Sequence, residues 1–120
     1  MSSSFQAFLR IASRFPGDLP AALRLARLLA PSDQRREFTL CLIQSTVRAQ
    51  SLMRLSRMMT DLASSGVVAR RIRVNSRQGG GVQKFSDLSE IPDSMYDPFT
   101  DTEWTIGPED IEVVFEVDKA

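Results

Sequence analysis

SLMRLSRMMTDLASSGVVARRIRV, residues 51–74, contains a change of period. In its first half Leu52, Leu55, Met59 and Leu62 recur three and four residues apart, the spacing of one helical face. Gly66 is a natural helix stop, because it takes left-handed backbone angles without a Cβ penalty. Beyond it Val68, Ile72 and Val74 alternate in part with Arg71 and Arg73, as on a half-buried strand. The stretch therefore reads as a helix that runs into a basic strand.

Working back toward the N-terminus, the same helix is expected to begin near Asp33, an N-cap residue, with Glu37 in its first turn. Phe38, Cys41, Leu42, Ala49, Leu52, Leu55, Met59 and Leu62 would trace one face of this long helix. Ser45-Thr46 is its weakest point. Pro31 ends an earlier helix that starts near Pro20, with Leu23, Ala26, Leu29 and Ala30 as its apolar stripe and Asp18 near its positive end. A first helix, with Ser3 or Ser4 as its cap and Phe5, Phe8, Leu9, Ala12 and Phe15 on one side, stops at Phe15-Pro16-Gly17.

Working forward, Gly79-Gly80-Gly81 makes a turn and Val82 to Phe85 returns as a second strand. Residues 86–110 are acidic and broken by prolines, and read as an extended arm. Ile111, Val113, Phe115 and Val117 alternate with charged residues as a final strand. The expected fold class is α+β. Three N-terminal helices form an antiparallel helical bundle, followed by a β-hairpin and an extended acidic arm with a C-terminal strand. The parts are a basic helical domain over 1–66, a basic β-hairpin over 67–85, and the acidic arm with its strand over 86–120.

Charge is divided unevenly. Residues 1–84 hold fourteen Arg/Lys against four Asp/Glu, whereas residues 85–120 hold one Lys against eleven Asp/Glu. Such a split concerns partners and steering rather than fold. Thirteen of the fifteen basic residues are arginine, the side chain suited to bidentate recognition of carboxylate or phosphate.

Composition argues against much chemistry. There is no histidine, so the usual general base and commonest metal ligand are missing. The single cysteine, Cys41, permits no internal disulfide and no cysteine-cluster metal site, and its apolar neighbours suggest a buried structural thiol. The triple glycine lacks the following helix and Lys-Ser/Thr of a phosphate loop. Asp93, Asp97, Asp101 and Glu103 lack the glycine and terminal glutamate of the twelve-residue calcium loop. No apolar run approaches the ~20 residues of a membrane span. The chain is expected to be no enzyme, with no catalytic residue, no cofactor and no metal.

Two resemblances follow. Residues 51–74 with the glycine turn resemble the C-terminal half of winged helix-turn-helix domains, although residues 38–50 show no separate short helix and tight turn ahead of the main helix. That resemblance implies DNA or RNA binding, with Arg54 and Arg57 facing the major groove and Arg70, Arg71, Arg73 and Arg77 near phosphates. The acidic tail would then compete for the basic face. Ser4 to Pro16, SFQAFLRIASRFP, is similar to the first helix of the mitochondrial LYR-motif proteins. Phe5 takes the Tyr place, Leu9-Arg10 the Leu-Arg step, and Phe15-Pro16 the end. CLIQSTVRAQSLMRL, residues 41–55, resembles the family's Leu-x-x-Gly-x(6)-Leu-x-x-Leu stretch, with Ser45 in the Gly place. This second resemblance is the one favoured here, because residues 1–17 are also basic, acid-free and amphipathic, as in mitochondrial import segments.

It implies a non-catalytic accessory or assembly subunit of a larger mitochondrial complex. Family members dock the acidic acyl carrier protein, which Arg10, Arg14, Arg24 and Arg27 would meet. The expected contact residues for protein partners are these four with Phe5, Arg48, Arg54, Arg57, Arg70, Arg71 and Arg73, and Tyr96, Phe99 and Trp104 as aromatic anchors. Outside mitochondria the expected compartment is the cytoplasm.

Overall fold

A computed structural model of the chain describes residues 3–30 and 32–118, with side chains from residue 6 onward. Phe5 lies in the first helix, but its side chain, the expected serine cap and the expected stop at Pro31 fall outside what is described.

The elements are α1 (Ser3–Arg14), α2 (Leu19–Leu28), β1 (Arg36–Thr39), α3 (Leu40–Val47), α4 (Leu52–Ser64), β2 (Ala69–Asn75), β3 (Gly81–Phe85), β4 (Ser94–Asp97), β5 (Thr102–Thr105) and β6 (Ile111–Val117). This corrects the expected fold. Helices and strands are interspersed in two sheets, rather than three helices followed by a hairpin. The long helix does not exist. Residues 36–39 are a strand, where Phe38 and Thr39 suit extended backbone. Thr39 then caps α3 by accepting from the Leu42 N–H at 3.2 Å, and residues 48–51 separate α3 from α4.

The chain divides into two compact units, Met1–Ala69 with Phe115–Ala120, and Arg70–Val114. The first has ten Lys/Arg against six Asp/Glu and the second five against nine, so the formal charges are +4 and −4. Pairing of the basic strand with acidic sequence inside the second unit reduces the contrast seen along the chain.

In the first unit the core is built from one face of each helix: Ala7 and Ile11 of α1, Ala21, Ala22 and Leu25 of α2, Ile43 and Val47 of α3, and Leu55, Met58, Met59 and Leu62 of α4. The α4 set falls at i, i+3, i+4 and i+7, an unbroken helical stripe. Several expected core positions are instead exposed, namely Leu9, Leu23, Leu42 and Leu52. For Leu42 and Leu52 the reason is that breaks at β1 and at residues 48–51 reset the helical phase, so a face extrapolated from 38 to 62 cannot hold. Cys41 is also exposed, not buried. α4 ends on Gly66 at φ 82°, with the Val67 N–H on the Leu62 carbonyl and the Gly66 N–H on that of Ala63. β1 lies beside β6 in this unit.

In the second unit β6, β2 and β3 are neighbours in that order. β2 and β3 form the expected antiparallel hairpin, pairing Ile72 with Phe85 and Val74 with Gln83. The arm is not extended throughout. β4 and β5 make a second antiparallel hairpin that sets Met95 opposite Trp104 and Tyr96 opposite Glu103. Residues 76–110 leave β2 and rejoin β6 across two ion pairs, Arg73–Glu112 at 2.6 Å and Arg77–Asp110 at 3.1 Å.

Candidate nucleic-acid interface

Two helices joined by a four-residue turn, 48–51, are the most distinctive local arrangement in the first unit. The turn is fixed from both sides. Gln44 of α3 accepts from the Ala49 N–H at 3.1 Å and donates to the Ala49 carbonyl at 2.9 Å. Asp18, only 2% exposed, accepts from the Gln50 N–H at 2.8 Å and from the Arg54 guanidinium. Gln50 Nε2 donates to the Gly17 carbonyl at 2.8 Å. Ser51 caps α4 by accepting from the Arg54 N–H at 3.1 Å. Arg24 Nε donates to the Val47 carbonyl at 2.7 Å, closing the C-terminal end of α3.

Arg48 makes the turn itself, at φ 55° and ψ 56°. A non-glycine residue there carries a cost of about 1 kcal/mol. Arginine thus stands where glycine would fit with less strain.

The outward face of α4 presents Met53, Ser56, Arg57 and Thr60, all exposed. These side-chain types match base edges: arginine to guanine, hydroxyls to several partners, and an apolar group to the thymine methyl. Arg48 and Arg57 form no ion pair among the described residues; Arg57 donates to the Met53 sulfur at 3.9 Å. Arg27 and Arg70 likewise form none.

Other arginines expected to meet a partner are engaged internally. Arg10 donates to Ser65 Oγ at 3.0 Å, and Arg14 pairs with Asp61 at 2.7 Å. Arg54 pairs with buried Asp18, so it positions α4 rather than facing away from the chain. In the second unit Arg71 donates to the Arg70 carbonyl, Arg73 pairs with Glu112, and Arg77 pairs with Glu109 and Asp110.

The three expected aromatic anchors all lie in the second unit. Trp104 is half-buried and donates through Nε1 to Asp110 at 3.1 Å. Tyr96 and Phe99 are each 54% exposed. The Tyr96 hydroxyl donates to the Asp101 carboxylate, which pushes its pKa above the usual phenol value. The Phe99 ring packs against Gly79, where any Cβ would collide with it.

Asp110 is held below the usual carboxylate range, first by the hydrogen bond from Arg77 and then by the Gly107 N–H. Burial pushes Asp97 up, but hydrogen bonds from Ser76, the Phe99 N–H and Thr100 outweigh it, so Asp97 also sits low.

Asp18, Gln44, Gln50 and Ser51 were not singled out as site residues by sequence reasoning. Ser51 before an apolar run was the available signal for a helix start. Among the described residues no His/Cys/Asp/Glu group could hold a metal ion, and no helix is long and apolar enough to cross a membrane. Comparison with protein-family models, curated proteins and solved structures finds no match for this chain.

Proposed function

We propose that the chain binds duplex DNA through α3, the turn 48–51 and α4, as a winged helix-turn-helix protein with an enlarged wing. The reading rests on one observation: a short helix, a four-residue turn and a second helix are followed directly by a basic strand and a hairpin. The short helix and turn are the parts that the sequence pattern lacked. α4 enters the major groove, where Ser56, Arg57 and Thr60 meet base edges, while Arg48 meets a phosphate. Residues 76–110 follow β2 in the sequence position of a wing and carry none of the proposed DNA contacts. DNA is favoured over double-stranded RNA because the deep, narrow A-form major groove does not admit a helix. Titration of a fluorescent duplex with the full chain at several salt concentrations is the test. Binding should weaken log-linearly with salt, with a shallow slope of about −0.9, since Arg48 carries the phosphate contact. Absence of binding at low salt would end this reading.

A second reading is favoured by exposed apolar side chains in the first unit: Leu9, Leu19, Leu23, Leu42, Leu52 and Met53. On this reading the chain is an accessory subunit of a larger, mitochondrial assembly that covers those leucines, in line with the LYR-like N-terminal pattern. Salt-insensitive co-purification with other subunits, and no duplex binding, would favour it.

A further inference from the structure

We propose that the groove beside β3 is a docking site for an extended, basic peptide segment of a partner protein, which adds a strand to the edge of the sheet. This site is separate from α4 and does not depend on the reading above. β3 is the last strand of its sheet, and among the described residues no strand lies on its outer side. An edge of this kind offers a row of main-chain donors and acceptors, a template that pairs with extended backbone and not with a helix.

A groove of about 580 Å³ lies against β3 within the second unit. Val82 and Phe85 of the strand line it together with Pro92, Met95, Tyr96 and Pro98. Apolar side chains from one face of an added strand can enter such a groove, because successive side chains alternate.

The charge around it selects the occupant. Glu90 forms part of the wall. Glu103 stands directly opposite Tyr96 in the β4–β5 ladder, so the two share a face. Between residues 86 and 103 there are six Asp/Glu and no Lys or Arg. Asp87, Glu90, Asp93 and Glu103 have no cationic partner among the described residues. This field repels nucleic acid and anionic membrane and attracts lysine and arginine. An occupant that alternates apolar and basic residues satisfies the edge, the groove and the charge together.

The test uses the isotope-labelled full chain and an eight-residue synthetic peptide alternating valine and arginine. Saturable amide shift changes should concentrate at residues 82–85. A peptide N-methylated at alternate residues, and one alternating valine and glutamate, should each bind at least about tenfold more weakly. Glu90→Lys, a surface change, should weaken binding of the arginine peptide without altering the melting temperature. Tyr96→Ala should weaken it as well, with folding checked by circular dichroism. Equal binding of the glutamate peptide, or shift changes confined to α4, would overturn the proposal. So would a dimer in sedimentation that protects the β3 amides without peptide, since the occupant would then be a second copy of the chain.

Discussion

Arg54, in the first turn of α4, donates through Nε to the carboxylate of Asp18, which lies buried between α1 and α2. This contact, with the Gln50 N–H on the same carboxylate, sets where α4 begins. Removing the acid leaves a guanidinium and a backbone donor without their partner. Asp18→Ala is expected to cost about 3 kcal/mol, read as a fall in melting temperature. Asp18→Ala combined with Arg54→Met should recover part of that loss in a double-mutant cycle.

Arg57 has no such tie, and its substitution should separate binding from stability. Arg57→Ala should leave the melting temperature nearly unchanged, within about 0.5 kcal/mol. In a duplex titration it should reduce affinity and alter the preference among duplex sequences while leaving the log–log salt slope unchanged. A slope lowered by about 0.9 would instead place Arg57 on a phosphate.

Arg48 should show opposite signs in the two measurements. Glycine at φ 55° relieves the Cβ contact, so Arg48→Gly is expected to stabilise the protein by about 1 kcal/mol. The same change removes a free positive charge beside α4 and should weaken duplex binding. A strained residue retained for function behaves in this way. A loss of both stability and affinity would show that Arg48 supports the turn through its side chain.

Acid should destabilise the second unit. Asp97 and Asp110 both titrate below the ordinary carboxylate range when folded. Their contribution is therefore fully present above the unfolded-state value near 3.9 and is lost as pH falls through the lower, folded values. Trp104 donates to Asp110, so its fluorescence should follow that loss as pH falls below the unfolded-state value. Asp110→Asn should flatten this transition and lower stability at neutral pH.

Features governed by one or two neighbouring residues were legible in the sequence. The stop of α1 before Pro16, the Gly66 cap, the glycine hairpin and the final strand all stand where local stereochemistry puts them. The division of residues 33–65 was not legible. No glycine or proline marks the turn at 48–51; it depends on Asp18, thirty residues upstream, and on Gln44 reaching Ala49. β1 was hidden because Arg36 to Thr39 is short and helical caps were plausible on either side. The arginines were identified as a class, yet their roles depend on distant carboxylates and carbonyls, as Arg54 and Arg24 show. The charge of residues 86–110 was plain, whereas the β4–β5 ladder that sets Glu103 beside Tyr96 was not.

Residues 76–110 depart and return at points bridged by Arg73–Glu112 and Arg77–Asp110, so their two ends are already joined. A segment anchored in that way is modular. Its length and content can change while the strands on which it is mounted keep their register, and a short loop in place of residues 78–109 should still let β2 and β6 meet with both pairs kept.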